Sequence, residues 1–295
     1  MSIKLFDTHA HLNFNIFKDD RDEIIKNCLD KNIWVINVGS QYDTSKTAAQ
    51  IAEKYEEGIY ATIGIHPIHL SQTEVDEEEI FFKSREERFD AEKYKELLND
   101  KVVAVGEIGL DYFHIPKERN FDEIKKIQKE GFIAQLNFAR EFNLPVSLHC
   151  RGSKDDPFGA YEEMIDILND FVVNSKGQKK LGGVIHCFGA NSEIAKKFIE
   201  LGFYIGFTGI ITFKNAKELQ EVVKNIPLEK VLAETDCPYL APDPFRGKRN
   251  EPAYVEYVVR KIAELKSLSF EEVRGKVLEN SRGVFGVWGT KAQKQ

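Results

Sequence analysis

The chain has no apolar run approaching the roughly 18 residues that a bilayer crossing needs. Its N-terminus carries no basic segment followed by an apolar core, so no secretory signal is expected. The expected setting is cytoplasmic, with the nucleus as the alternative. Cysteine is scarce. Cys28, Cys150, Cys187 and Cys237 form no C-x-x-C pair, which argues against a zinc ribbon or a thioredoxin-like motif. Positive charge is also short: 41 Lys and Arg against 48 Asp and Glu leave a formal net charge of −7. That balance argues against a protein coating nucleic acid through a broad basic surface. It is compatible with an enzyme gripping one strand end through bound cations and a few arginines. Internal repeats, low-complexity tracts and a convincing domain linker are lacking too, so one domain is expected.

Hydrophobic periodicity supplies the fold. Short β-rich runs stand at 3–7, 33–39, 59–65, 102–109, 145–150, 182–188, 203–209 and 231–236. Segments with helical spacing lie between them, most clearly at 132–143, 192–202 and 216–226. Such alternation implies parallel strands joined by crossover helices, and eight units close into a (β/α)8 TIM barrel of class α/β. The barrel is expected over 1–288, with a charged insertion at about 71–100 and a frayed tail at 289–295. The insertion, with EVDEEE at 74–79, reads as a solvated helix or flap. Ser269 and Glu272 have capping-box spacing for a closing helix.

The reactive side chains recur at strand ends. The first run, LFDTHAHL, places Asp7, His9 and His11 two residues apart, which in an extended strand points all three one way. His66 follows the third strand in GIHP, Glu107 ends the fourth in VGEIGLDY, and His149 ends the fifth in SLHCR. His186 ends the sixth in VIHCF, and Asp236 the eighth in AETDCP. Five of seven histidines thus fall on the rim where barrel enzymes do their chemistry. Cys150, Cys187 and Cys237 each follow one of these residues, so alternation turns them toward the helices as small buried hydrophobes.

Four imidazoles and two carboxylates exceed what one tetrahedral ion needs. They suit two divalent ions roughly 3.5–4 Å apart that activate a water between them. Glu107 is the expected bridge, with His9, His11 and Asp236 on one ion and His149 and His186 on the other. Magnesium, manganese and zinc all accept such mixed nitrogen and oxygen ligands. Asp236 is placed to hold the water's proton. Asp7 and Glu234 are expected behind the ligands, orienting them by hydrogen bonds. His66 is expected to contact substrate phosphate or assist the leaving group, whereas His69 and His114 read as solvated or locally bonded loop residues. Arg151, Arg246, Lys248 and Arg249 bring phosphate-binding charge to the same rim. Tyr112, Phe113 and Tyr239 are candidates for stacking on a base.

DTHAHL, GIHP, GEIGLDY, LHCR, HCF and ETDCPYLAP, followed by RGKRNEP, together resemble the TatD-type deoxyribonucleases, in the order of that family and over residues 7 to about 252. The resemblance implies a (β/α)8 barrel that hydrolyses DNA phosphodiesters with divalent metal, removing nucleotides from 3′ ends, here from a single strand. Its metal pattern falls on His9, His11, Glu107, His149, His186 and Asp236. The segments at 71–100 and 114–120 are less typical of the family. A monomer is the default expectation, with DNA as the partner and no membrane. The alternative is an amidohydrolase-like enzyme that breaks C–N bonds on the same barrel. Its two-metal members often bridge through a carboxylated lysine on strand four, where this chain has Glu107. A non-catalytic metal-binding barrel would be expected to lose one of the ligands.

Overall fold

The eight apolar runs become parallel strands in a computed structural model that describes residues 4–71, 74–77, 80–83, 86–173 and 181–287. The strands are β1 (Leu5–Ala10), β2 (Ile33–Val38), β3 (Ile59–Ile63), β4 (Val102–Asp111), β5 (Val146–Arg151), β6 (Gly183–Ile185), β7 (Tyr204–Phe207) and β8 (Val231–Ala233). Each pairs with the next in chain order. Main-chain bonds from Asp236 N to His9 O and from His11 N to Cys237 O, both 2.8 Å, join the two ends of the sheet. The result is a (β/α)8 barrel, as its sequence periodicity predicts.

Two apolar layers hold it. Phe6, Trp34, Ile36, Val38, Tyr60, Val103, Val184 and Leu232 pack inside the barrel, closed from below by Phe285 and Val287. The alternate side chains, Leu5, Val35, Ile59, Val105, Val146, Ile185 and Val231 among them, face the helices. Helices α1 (Arg21–Asp30), α2 (Tyr42–Glu53), α4 (Phe121–Glu141), α5 (Gly159–Val173), α6 (Ser192–Glu200) and α7 (Lys217–Asn225) connect the strands, and α8 (Val255–Lys266) and α9 (Phe270–Phe285) complete the outer layer. Helix α9 starts at the expected cap, with Ser269 Oγ accepting from Glu272 N at 3.2 Å. It stops at Gly286, whose φ of 66° is left-handed and suits glycine.

Helix α4 begins well before the apolar spacing at 132–143 announces it. Gln128 occupies a buried position on its inner face, so the hydrophobic pattern is interrupted there. The charged stretch after β3 also departs from expectation. Instead of a solvated helix it contains an antiparallel pair, Glu74–Glu77 with Ile80–Lys83, and a short helix α3 (Ala91–Lys95). Tyr94 and Leu97 are buried, and Tyr94 packs against Phe89 and Tyr42, so this segment adds to the core. Residues 78–79 of the acidic run, Trp288 and the tail 289–295 lie outside the described residues. No helix among the described residues is long and apolar enough to cross a membrane.

Candidate metal centre

Two irregular strands aim the histidines and carboxylates. In the β1–β2 ladder Asp7 pairs with Val35 and Ala10 with Asn37, so β1 spends one residue more than its neighbour. That bulge reverses the alternation. Asp7 shares the outward side with Val35, whereas His9 and His11 turn in. Asp7 therefore does not stand on the face of His9 as simple alternation predicts. It receives the N–H and hydroxyl of Thr235, at 2.8 and 2.5 Å, tying β1 to the segment after β8. A second bulge separates Val105 and Ile108 in β4 and turns Glu107 inward. The strand then continues past its expected end, pairing Gly109 with His149 and Asp111 with Arg151. Asp111 thus joins Glu107 on the inner face.

Four imidazoles converge with distinct tautomers. Nδ1 of His11 donates to the Val38 carbonyl at 3.0 Å, and Nδ1 of His186 donates to Glu234 at 2.8 Å. Carbonyl and carboxylate oxygens only accept, so both rings spend Nδ1 on these bonds and turn Nε2 into the site. Burial opposes a charged His186, but Glu234 and Asp236 outweigh it and hold the ring well above the usual range, so its Nε2 becomes a ligand once its proton is displaced. Nε2 of His9 lies 3.2 Å from that of His11, and the His9 ring stacks on His186 with centroids 3.3 Å apart. Asp236 Oδ1 stands 3.4 Å from His11, 3.5 Å from His186 and 3.8 Å from His9. This is a basin of imidazole nitrogens and carboxylate oxygens, the donor types that divalent ions take.

Glu107 borders that basin and a second one. Its Oε2 is 3.4 Å from His9 and 3.8 Å from His11; its Oε1 is 3.0 Å from His149 Nδ1 and 3.6 Å from His66 Nε2. His149 Nε2 in turn meets Asp111 Oδ2 at 2.9 Å. Asp111 was not singled out from sequence. It is fully buried and also accepts from the Phe113 and His114 N–H groups and from His114 Nδ1. Gln128 grips its main chain from α4 through both amide atoms, at 2.8 Å each. Among the described residues, four sets bring ligand atoms within 4.8 Å of one another: His9, His11 and Asp236; His9, His186 and Glu234; His66, Asp111 and His149; and His186, Cys187 and Asp236. His149 thus keeps company with His66 and Asp111, while His186 joins the His9 side, a partition that differs from the expected pairing of His149 with His186.

The charges follow the contacts. Burial works against an ionised Glu107, yet His66, His9 and His149 outweigh it and hold the carboxyl well below the usual range. Burial likewise opposes an ionised Asp236, and His186 outweighs it. For His149, burial is overcome by the bonds to Asp111 and Glu107, which carry it to about 9. His66 goes the other way: burial and the neighbouring His149 keep it neutral. Its Nδ1 accepts from Ile68 N at 3.2 Å, so the neutral ring carries its proton on Nε2, toward Glu107. Burial pushes Asp7 well above the usual carboxyl range.

The remaining candidates are distributed unevenly. Glu234 stands where expected, behind His186. Cys150 and Cys237 are buried on the outer side as alternation predicts, but Cys187 is half-buried beside His186 and Asp236. It follows the end of β6 with φ 43°, so strand alternation no longer governs it. Burial lifts its thiol to about 12. His69 is buried, not solvated. Tyr112 is buried away from the rim, its hydroxyl bonded to Glu163 at 2.7 Å, so it packs between α4 and α5 and is withdrawn from substrate contact. Arg249 pairs with Asp20 and Glu251, and Arg246 lies 4.2 Å from the Phe213 ring centre. Lys248 lies near Phe245, and Tyr239 faces the edge of His11. Arg151 covers Phe113.

This chain matches the family described as TatD-related DNase over residues 6–286. It is 41% identical over 285 residues to the uncharacterized metal-dependent hydrolase YabD of Bacillus subtilis, covering 96% of this chain and 99% of that one. It is 31% identical to the 3′-5′ ssDNA/RNA exonuclease TatD of Escherichia fergusonii, again over 96% and 99% of the two chains. Among solved structures it is similar to YjjV, a TatD homologue from Escherichia coli K12, with a TM-score of 0.78, 26% identity and coverage of 98% and 100%. Since the match runs from the first barrel strand into the last helix, the chain belongs to the TatD family of metal-dependent hydrolases.

Proposed function

We propose that this protein is a deoxyribonuclease that shortens single-stranded DNA from its 3′ end, using two divalent ions held on either side of Glu107. The observation that carries the reading is the placement of Glu107: one carboxylate oxygen faces His9 and His11 and the other faces His149. His9, His11, His186 and Asp236 would hold one ion, and His149, on the other side of Glu107 near His66 and Asp111, would hold the second. Magnesium, manganese and zinc all suit this donor set. When bound, such ions supply an activated water and neutralise phosphoryl charge. The chain's own groups do the rest. Asp236, at the open end of the basin, accepts a proton from the attacking water. His66 presents Nε2–H to the phosphoryl or leaving oxygen. Glu234 and Asp111 keep His186 and His149 in fixed orientations. Arg151, Arg246 and Lys248 put positive charge on the rim where the strand's phosphates enter, and the name of the Escherichia fergusonii relative supports a nucleic-acid substrate.

The rival bond is C–N. The test is to load purified protein with manganese, zinc or magnesium and measure hydrolysis of bis(p-nitrophenyl) phosphate and of dihydrouracil. Chelator-sensitive release of p-nitrophenol is the expected result. Turnover of the cyclic amide with no phosphodiester hydrolysis would contradict the proposal.

A further inference from the structure

Few large apolar side chains are left open by this fold, and one of them stands beside the metal centre. Phe113 is 36% exposed. Its N–H is held by Asp111 Oδ1 at 3.0 Å, and the other oxygen of that carboxylate holds His149. One side chain therefore separates the ring's anchor from a proposed metal ligand. The end of the sheet fixes the ring's surroundings: Asp111 pairs with Arg151, and Tyr112 N donates to Arg151 O at 2.8 Å. Two cations flank the ring. The Arg151 guanidinium carbon lies 4.0 Å from its centre and the Lys154 ammonium 5.3 Å.

A phenylalanine serving only the core would be buried, as Phe6, Phe17, Phe132, Phe198, Phe203 and Phe207 are. The combination of a partly exposed aromatic ring with two exposed cations over it matches a nucleotide: a base can stack on the ring in place of a cation, and its phosphates meet the displaced charge. Bases of a duplex are stacked on their own neighbours and present only edges, so the complementary ligand is an unpaired base. We propose that Phe113, with Arg151 and Lys154, forms a stacking site for an unpaired base next to the scissile phosphodiester, which makes the enzyme selective for single strands that carry bases. This rests on the nuclease reading above.

The test compares two 5′-labelled single-stranded oligonucleotides of one length, one with ordinary bases throughout and one with abasic residues at its last three 3′ positions. Wild-type protein, Phe113→Ala and Phe113→Trp are assayed on both. Stacking on an aromatic side chain supports a preference of roughly 5- to 100-fold per base. Wild-type protein is expected to favour the base-bearing strand by a factor in that range, mainly through KM. Phe113→Ala should fall to the abasic level on both strands, and Phe113→Trp should recover the preference. A thermal midpoint matching wild type shows that Phe113→Ala is folded. Equal cleavage of both strands by wild-type protein, or a preference that survives in Phe113→Ala, overturns the stacking site and leaves the nuclease reading standing. Cleavage of neither strand by metal-loaded wild-type protein overturns both.

Discussion

Replacing Asp111 with asparagine should weaken one bound ion and spare the other. The Asp111 carboxylate serves four donors: the N–H groups of Phe113 and His114 on Oδ1, and the rings of His114 and His149 on Oδ2. An asparagine keeps one accepting oxygen, enough for the two main-chain groups. Its NH2 must then face the two imidazoles, and an N–H cannot sit against another N–H. A neutral His149, the form that can bind an ion, relieves the clash by carrying its one proton not on Nε2 but on Nδ1. That nitrogen is the one directed at Glu107, 3.0 Å away, and is the one available to an ion shared with Glu107. Removing the outer carboxylate of a ligating histidine commonly costs 10- to 100-fold in metal affinity, about 1.4 to 2.7 kcal/mol. His11 and His186 are held through Nδ1 by Val38 O and Glu234, and His9 Nδ1 meets the Ser147 hydroxyl, so none of them depends on Asp111 and their ion should be untouched. Calorimetric titration of metal-free protein with zinc or manganese gives two binding events if the proposal holds. One dissociation constant should rise 10- to 100-fold in the variant and the other should stay. Two unchanged constants would refute the reasoning.

Two further predictions concern stability. His69 is buried, and burial lowers its pKa to about 3. An unfolded chain restores the ordinary value near 6.5, so the unfolded state takes up the proton first as pH falls. The stability from a neutral His69 is fully present above about pH 6.5 and is lost at about 1.4 kcal/mol per pH unit on the way down toward pH 3. Urea unfolding of wild type and His69→Asn at pH 6.5 and 4.5 should show wild type losing about 2 kcal/mol more than the variant, an order-of-magnitude figure from the same linkage; parallel losses would contradict it. Ser269→Ala removes the cap of α9 and should destabilise the fold by about 1 kcal/mol, seen as a lower urea midpoint with an unchanged slope. No change would mean that water satisfies Glu272 N equally well.

The barrel was legible because its signal is repetitive: apolar strands bury both faces, and six of the eight end in or are followed by a histidine or carboxylate on the rim. The rim histidines, Glu107 and Asp236 could be read from those ends alone. What escaped depends on single-residue irregularities that periodicity averages over. The bulge in β1 sends Asp7 outward, and no property of LFDTHAHL distinguishes that register from simple alternation. Asp111 was hidden because Gly109 looked like the end of the strand; continuing the inner-face count from Glu107 through Gly109 would have reached it. His69 and Tyr112 are polar or amphipathic, so burial by distant segments, Glu87 bonding His69 O and Glu163 bonding the Tyr112 hydroxyl, leaves no local trace. Gln128 concealed the first half of α4 for the opposite reason: its polar amide is buried to hold Asp111.

The most direct test of a two-ion phosphodiesterase built around Glu107 uses 5′-labelled single-stranded DNA. Wild-type protein and Glu107→Ala are incubated with it in manganese or magnesium, with a chelator in parallel. A ladder shortening from the 3′ end, abolished by the chelator and absent in the variant, is the predicted result. Intact DNA with wild-type protein shown to hold two ions would contradict the account, as would a Glu107→Ala variant that cleaves at the wild-type rate.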